Sequence, residues 1–532
     1  MTKAIPTLIN RLEKGSDEYK VEVVTSLRHI LTKGTAEQHK MIVDEGAITK
    51  LSRLLDSTNE SIVTAALLSL KDIATKGTAD DDIEAMGRTS TIDSLVKLLA
   101  SNDDDSVKSS LGLLTAVKGH IKDRTHKSLL PHLARIMKLG TTAESDMLAN
   151  CLVLLRKVLE TDHAPTIEAV AELKMTPTLL DMIKTSDNDT ANKTNLLHSL
   201  FNLAKTKNLN SRTGVILEEK DFLSILVSLV DSPDNNISEG AMTAVGTVAN
   251  ASISCRKNKA VLAKGKPIDE YIRYRDLLLQ EGIMEPLLRM IENSASVDIL
   301  RVASWTLKQL CRGKPFDHAV SNSCLKVLAR PLDIDTTNTE TLCSICWALN
   351  HILIGFDELD TQVTEKGFLA PLLRRLPSLP HHVQLPALKS LHLISSACDE
   401  LVQSIINADG VDYISKALHS PLVANQELAC NTISNILAKN TDRVLEDSTV
   451  SGMLKMIAFG QTQATALQAI CNITESATAT QIRNLIVQED GCIRHLCGML
   501  TSDSSTANSG LQALTNVSNH WFDFVVTFPS PL

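Results

Sequence analysis

Aromatic residues are scarce in this sequence. They make up only 3% of its 532 residues, and glycine and proline are also modest, with 22 and 16 copies. β-Sandwiches and barrels depend on aromatic and β-branched strands separated by frequent turn residues, so this composition disfavours them. No apolar run approaches the roughly 18 residues that a membrane helix needs, and the opening residues lack a secretory pattern. The aliphatic content instead favours helices packed through Leu, Ala, Ile and Val.

Positive charge and paired cysteines are also lacking. The net charge of −9 argues against general affinity for nucleic acid and is more compatible with basic partners. The eleven cysteines are odd in number and scattered, which predicts reduced thiols in the cytoplasm or nucleus. Cys343 and Cys346 have a Cys-x-x-Cys spacing without a second pair, and Cys492, His495 and Cys497 are predicted to belong to one helix. With no Walker loop, nucleophile elbow or His-Glu-x-x-His motif, we expect no catalysis, metal or cofactor.

A motif recurs along the chain, in which an acidic or polar residue is followed by a glycine and then by an aliphatic helix. Gly46 and Gly87 are 41 residues apart, Gly367 and Gly410 are 43 apart, and Gly282 precedes Gly367 by two such periods. A period of about 42 residues lies in the range of armadillo and HEAT repeats. The glycine permits the sharp turn between a short first helix and a second helix.

Each period then continues into a longer, amphipathic third helix, as in residues 299–311, 341–354 and 384–395. The turns between helices are rich in Asp, Asn, Ser and Thr, as in the Asp103-Asp-Asp run, which we interpret as a solvated turn. The sequence therefore predicts an all-α fold. Specifically, we expect a right-handed superhelical solenoid of about eleven to twelve three-helix armadillo repeats.

The third helix from Leu300 to Leu310 has an apolar stripe at steps of three and four residues. Trp305 and Gln309 lie off that stripe, one helical turn apart. An aromatic ring and an amide on the less buried face of a helix suit a surface that grips an extended peptide, because the amide can bind the peptide backbone and the ring can pack against side chains. The other interpretation is partial burial between adjacent third helices.

Several phrases in the same register resemble the importin-α (karyopherin-α) family. Trp305-Thr-Leu-Lys-Gln-Leu-Cys-Arg-Gly-Lys is similar to the family phrase Trp-Thr-Leu-Ser-Asn-Leu-Cys-Arg-Gly-Lys. Cys346-Trp-Ala-Leu, Pro386-Ala-Leu-Lys, Thr432-Ile-Ser-Asn-Ile and Gly491-Cys-Ile-Arg-His fit later family repeats in order and spacing. The resemblance runs from about residue 145 to residue 520.

In that family, third helices carry a Trp and, four residues later, an Asn that together read nuclear localisation signals. The resemblance therefore implies an adapter that binds basic peptide segments of cargo for nuclear import and that occurs in cytoplasm and nucleus. Indole faces hold the stems and charges of Lys and Arg, and amides hold the peptide backbone. The positions that correspond to this row are His198, Asn202, Thr243, Thr247, Trp305, Gln309, Trp347, Asn431, Asn435, Gln468, Asn472 and Asn516.

The row departs from the family pattern at several places. Lys389 keeps the family's basic residue, but most tryptophan positions hold other residues, and Ala251 replaces the acidic residue that selects a lysine. The loss of each aromatic slot costs on the order of 0.5–2 kcal/mol of cation–π attraction. We therefore expect an eroded major site. The asparagines have the alternative role of capping or hydrogen bonding between repeats.

The chain is expected to have three parts. Residues 1–144 are predicted to form additional N-terminal armadillo-like repeats without an apparent importin-β-binding segment, residues 145–520 to form importin-α-like repeats, and residues 521–532 to form a tail. A basic insertion near 256–278 is either a solvated loop or an internal mimic of a signal.

The partners expected from this organisation are proteins with extended basic segments. Importin-β, if it binds, is expected to use another surface, and direct binding to nucleic acid or membrane is not expected. The alternative function is that of a non-transport armadillo scaffold, which binds other protein partners through the same groove.

Overall fold

The computed structural model describes most of the chain as helices joined by short turns. The described residues are 4–12, 14–76, 86–87, 90–139, 145–161, 163–185, 190–205, 222–254, 269–313, 315–334, 338–356, 359, 363, 365–439, 463–476, 496–498, 500 and 504–527. Within these ranges there is no β-strand, so the predicted all-α class is confirmed. The chain divides into two compact units, Met1–Ala251 and Ser252–Leu532.

Unit 1 contains the helices of the first half of the chain, which are α1 Ile5–Arg11, α2 Asp17–Lys33, α3 Ala36–Asp44, α4 Ala47–Leu54, α5 Glu60–Lys76, α6 Thr91–Leu98, α7 Asp104–Ala116, α8 Asp123–Leu139, α9 Ser145–Glu160, α10 Ala164–Glu172, α11 Met175–Thr185, α12 Thr190–Lys205, α13 Phe222–Val230 and α14 Asn235–Ser254. The long helices α2, α5, α7, α9 and α12 pack in succession, each against the next. They are the third helices of successive repeats. The predicted insertion near 256–278 is described only from residue 269 onward, where it is helical.

Unit 2 repeats this arrangement with α15 Asp269–Gln280, α16 Met284–Asn293, α17 Val297–Cys311, α18 His318–Asp333, α19 Thr339–Ile354, α20 Leu369–Arg375, α21 His381–Ser396, α22 Asp399–Asn407, α23 Gly410–Ser415, α24 Val423–Lys439, α25 Gln463–Ser476 and α26 Ser504–Thr527. Its third helices α17, α19, α21, α24, α25 and α26 again pack in succession. Residues 521–527 of the predicted tail continue α26. The repeat stack therefore places one face of each third helix beside that of its neighbour.

Left-handed turns separate the first and second helices, as the glycine motif predicts. Gly46, Gly282 and Gly367 have φ values of 77°, 81° and 83°, a region that side chains disfavour. At the copy containing Gly410, however, the left-handed residue is Asp409, with a φ of 55°. Aspartate tolerates this conformation better than most residues because its short polar side chain hydrogen-bonds locally. The prediction that Gly410 makes this turn is therefore wrong by one residue.

The Asp103-Asp-Asp run is a helix start and not a free turn. The Asp103 carboxylate accepts a hydrogen bond from the backbone N–H of Ser106 at 3.0 Å, which caps α7. Hydrogen bonds from the Ser106 hydroxyl and backbone lower the pKa of Asp103. Asp104 and Asp105 lie in the first turn, where negative charge is favourable near the positive end of the helix dipole. The acidic run therefore stabilises a helix start.

Buried His126 of α8 contacts Thr166 and half-buried His163 at the start of α10. His126 is 2% exposed, and its Nδ1 lies 3.2 Å from the Thr166 hydroxyl and 3.9 Å from an Asp123 carboxylate oxygen. The His163 ring meets it edge-on at 6.5 Å. Burial lowers the pKa of His126, Asp123 raises it, and His163 lowers it further. The net direction is downward, so the folded chain resists protonation here.

We expect the melting temperature of unit 1 to fall as the pH is lowered from about 7.5 to 5.5. The unfolded chain takes up the proton as the pH falls through about 6.5, whereas folded His126 does so only at lower pH. One such group lowers the free energy of unfolding by up to about 1.4 kcal/mol per pH unit. Calorimetry of the wild type and His126→Gln measures this, and the variant is expected to show a flatter pH profile. Equal slopes in both proteins would contradict this assignment.

Candidate functional site

The predicted peptide-contacting positions of unit 1 lie on α12 and α14. His198 is half-buried, and its Nδ1 lies 2.8 Å from the Thr194 carbonyl oxygen, so this nitrogen must donate the hydrogen bond. Thr243 and Thr247 donate their hydroxyls at 2.7 and 2.8 Å to backbone carbonyls four residues earlier in α14. Their hydroxyl protons are therefore used within the helix, and they do not replace the donor capacity of an Asn.

A cavity of about 200 Å³ opens between α12 and α14. Its walls are formed by residues one or two turns apart on each helix, which are Thr194, His198, Asn236, Glu239, Gly240 and Thr243. Glu239 supplies a carboxylate, and Gly240 leaves space where a side chain would project. The cavity is thus polar, carries one acidic group, and adjoins two of the predicted positions.

Trp305 and Gln309 of α17 occupy different environments. Trp305 is half-buried, but Gln309 is only 3% exposed and accepts a hydrogen bond at 3.1 Å from Nη1 of Arg312. The prediction that both residues share the less buried face is therefore wrong for Gln309. The neighbouring third helix α19 packs closely against α17. Only the tryptophan of this pair keeps an accessible part.

The indole of Trp347 on α19 is already in contact with two side chains. The His351 ring stacks on it with centroids 5.7 Å apart and planes inclined by 26°. The ammonium of Lys389, from α21, lies 5.3 Å from the indole centroid. This cation–π contact is the interaction that a signal lysine would make in the predicted slot. At Trp347 the chain itself therefore supplies the cation.

His351 is surrounded by cations from both adjacent third helices. Its pKa is lowered to about 4, mainly by burial and then by the charges of Arg312, Lys308 and Lys389. Burial also lowers the pKa of Lys308, with Cys343 raising it and Arg312 lowering it further. His351 is therefore uncharged at neutral pH, and the surface around it is positively charged. We refer to Lys308, Arg312, His351 and Lys389 as the basic cluster.

Three of the predicted asparagines donate hydrogen bonds to the preceding third helix. Nδ2 of Asn202 reaches the Arg156 carbonyl at 3.4 Å, and Nδ2 of Asn516 reaches the Thr474 hydroxyl at 3.3 Å. Asn435 donates to the hydroxyls of Ser395 and Ser396 at 3.2 and 2.9 Å. All three are half-buried. The repeated pattern shows that these amides join neighbouring repeats, as the alternative interpretation states, while keeping one side accessible.

The remaining predicted positions are placed unevenly. Asn431 is half-buried on α24 and Gln468 is exposed on α25. The side chains of Asn472 and Ala251 lie outside the described residues, as do the basic stretch at 256–268, Cys492 and His495. The structure thus brings the predicted residues together in separate groups along each unit.

Cysteine and metal chemistry do not add a second site to the part of the chain that the structure describes. Cys346 is fully buried, and burial raises the pKa of its thiol to about 12. No group of three or more His, Cys, Asp or Glu side chains within the described ranges could hold a metal ion. Across the same ranges, every helix is too short or too polar to span a lipid bilayer.

The sequence patterns missed three residues of these sites, which are Glu239, Lys308 and Arg312. A helical-face argument would have found Lys308, which follows Trp305 by three residues, but not Arg312, which is extended at the end of the helix. Glu239 precedes Thr243 by four residues and shares a face with it. The signal for Lys308 and Glu239 was therefore present in the spacing around the predicted positions.

Comparison with known proteins supports this architecture. The family model for an Armadillo/beta-catenin-like repeat matches residues 273–312, which are parts or all of α15, α16 and α17. The chain is 26% identical over 374 residues to importin subunit alpha-1b of Oryza sativa subsp. japonica and 29% identical over 304 residues to importin subunit alpha-8 of Arabidopsis thaliana. These regions cover 68% and 55% of this chain, and the chain spans 64% and 62% of those relatives.

A solved structure from work on a phosphorylation switch in the cadherin–β-catenin interaction shares the fold. It aligns with a TM-score of 0.62 and 12% identity over 97% of this chain and 94% of that one. At this identity the likeness concerns the fold alone, and it agrees with the stacked three-helix repeats of both units. The matched armadillo repeat and the importin-alpha relatives together show that the chain resembles importin-α, as a divergent armadillo-repeat protein.

Proposed function

We propose that the chain is an adapter that binds extended basic segments of partner proteins, with its principal contact at the cavity between α12 and α14. The observation that carries the proposal is the pairing of this cavity with the Glu239 carboxylate, beside His198 and Thr243. A lysine side chain has the length to place its stem in such a cavity and its ammonium near a carboxylate. Under the proposal, Asn202, one turn beyond His198, contacts the peptide backbone with the side of its amide that does not bond to Arg156.

The names of the relatives support a role in nuclear import. Under this proposal the chain carries proteins with basic signals between cytoplasm and nucleus, without catalysis, cofactor, metal, nucleic acid or membrane. The departures at Thr243 and Thr247, whose hydroxyls bond within α14, imply weaker backbone recognition than an Asn row provides.

The second candidate is a scaffold that does not read basic signals. The contact that favours it is Lys389 over Trp347, because the chain's own cation occupies that aromatic face. The basic cluster around it repels a second basic segment. In this alternative, unit 2 binds partners of another chemistry and transport is not involved.

Titration of the full chain with fluorescently labelled basic peptides separates the two functions. Monopartite and bipartite nuclear-localisation-type peptides are expected to bind with dissociation constants on the order of tens of micromolar. Glu239→Gln is expected to weaken binding about fivefold, because it removes the carboxylate at the cavity. The matched control is Glu285→Gln, whose side chain is 81% exposed on α16, and it is expected to have no effect.

Two results would favour the scaffold over the adapter. One is the absence of binding at tens of micromolar peptide. The other is equal affinity for a peptide in which the lysines are replaced by alanine. Either outcome removes the basis for signal recognition at α12 and α14.

A further inference from the structure

The basic cluster of unit 2 gathers cations from two helices around the third helix between them. Lys308 and Arg312 project from α17 and Lys389 from α21, and all three affect the charge of His351 on α19. Each of these side chains is half-buried. Like charges held this close repel one another, and partial burial strengthens the repulsion because less water screens it.

Within the described part of the chain, no carboxylate forms an ion pair with either lysine. Among the ion pairs between described residues, none includes Lys308 or Lys389. The other groups that influence Lys308 are Cys343 and Arg312, and the groups that influence His351 are cations only. Burial is the main cause of the lowered pKa of Lys308. The two lysines thus form a half-buried positive site that a bound anion would stabilise.

The neighbourhood of the cluster suits a peptide better than a long polyanion. Trp347, whose ring faces the Lys389 ammonium, and Trp305 on α17 are both half-buried and offer aromatic surface to side chains next to a carboxylate. The chain carries a net charge of −9, which opposes the approach of a nucleic acid but allows a short acidic segment to bind locally. Third helices packed in succession also present their faces in a row, as an extended segment requires.

We propose that the surface formed by Lys308, Arg312, His351 and Lys389 binds an extended acidic segment, rich in Asp or Glu, of a partner protein. A carboxylate there receives charge-assisted hydrogen bonds from the lysines and Arg312. Its negative charge also favours the protonated form of His351, so binding raises the pKa of that ring. The proposal is independent of basic-segment binding in unit 1, because it uses other helices and the opposite ligand charge.

The test is a fluorescence-anisotropy titration of the full chain with a labelled twelve-residue peptide containing four glutamates, against the same peptide with glutamines. The acidic peptide is expected to bind with a dissociation constant of about 10–100 µM and the glutamine peptide at least tenfold more weakly. Lys308→Gln and Lys389→Gln are each expected to weaken binding about fivefold, and sodium chloride to weaken it further. Lys326→Gln is the matched control, because Lys326 is exposed on α18.

Lys389→Arg distinguishes loss of charge from loss of structure. It keeps the positive charge and is expected to bind the acidic peptide within about twofold of the wild type. No binding of the acidic peptide at several hundred micromolar would overturn the proposal. Equal binding of both peptides, an equal loss in Lys326→Gln, or tighter binding of a single-stranded DNA 12-mer would overturn it as well. Because the basic peptides are measured separately, failure here leaves the result for unit 1 unaffected.

Discussion

Arg275→Ala is expected to destabilise unit 2 by about 3 kcal/mol, because the substitution leaves the Leu310 carbonyl and the half-buried Asp276 carboxylate without this partner. The Arg275 side chain is 3% exposed. Its Nε donates to the Leu310 carbonyl at 2.7 Å, its Nη1 donates to Asp276 at 2.9 Å, and its guanidinium lies 5.1 Å from the Phe316 ring centroid. The residue therefore ties α15 to the end of α17. Calorimetry of the full chain measures the loss as a lower melting temperature for the affected transition.

Two controls separate burial from charge at this position. Arg289→Ala removes an arginine that is 51% exposed and paired with Glu285 at 3.6 Å, and exposed pairs contribute roughly 0–1 kcal/mol. Arg275→Lys keeps a positive charge but loses the planar group that reaches Leu310 and Phe316. Its loss of stability is therefore expected to lie between those of Arg275→Ala and Arg289→Ala. A melting temperature for Arg275→Ala equal to that of Arg289→Ala would contradict the anchoring role.

Phe368→Ala is expected to cost about 3–5 kcal/mol, because a fully buried ring leaves a cavity that its surroundings fill only in part. Phe368 has 0% exposure and precedes α20, directly after the left-handed Gly367. Helix α20 packs against α18 and α23, so this ring fixes the turn that positions a second helix between neighbouring repeats. Denaturant unfolding, followed by circular dichroism, provides the measurement.

Phe368→Leu serves as the conservative variant for this position. It keeps most of the apolar volume and is expected to cost about 1 kcal/mol. A loss in Phe368→Ala no larger than that in Phe368→Leu would show that the site collapses around the smaller side chain and that the ring does not hold the turn.

Helix positions were the most predictable part of this fold. The apolar stripe of residues 299–311 was found as α17, Val297–Cys311, and residues 341–354 and 384–395 became α19 and α21 with small shifts at their ends. These elements depend on spacing within one helix, which the sequence contains directly. The left-handed glycines follow for the same reason, since the turn is local. The turn beside Gly410 differs because Asp409, and not the glycine, adopts the left-handed conformation.

The candidate sites were less predictable because they depend on how consecutive repeats are rotated against each other. Gln309 shares a helix with Trp305, yet Gln309 is buried while part of Trp305 stays accessible. The contact of Lys389 with Trp347 joins residues 42 positions apart. No spacing within one helix specifies such a contact. The resemblance to importin-α correctly predicted that these positions lie on third helices. It did not predict which of them already contact other side chains of the chain.

The amide positions also show that sequence alone does not separate peptide binding from repeat packing. Asn202, Asn435 and Asn516 all donate to the preceding third helix, so a position that suits peptide binding also serves repeat stacking. Both roles require an amide at the same helical position, and the sequence alone does not separate them. Only the distances between repeats show that the stacking contacts are present.

We propose that the two units bind segments of opposite charge. A basic segment binds at the α12–α14 cavity, and an acidic segment binds at the basic cluster. Hydrogen exchange of the full chain, measured by mass spectrometry with each peptide at saturation, tests this claim most directly. The basic peptide is expected to slow exchange in α12 and α14 and leave α17, α19 and α21 unchanged, and the acidic peptide is expected to do the reverse. Protection of the same helices by both peptides, or protection of α17–α21 by the basic peptide, would contradict the claim.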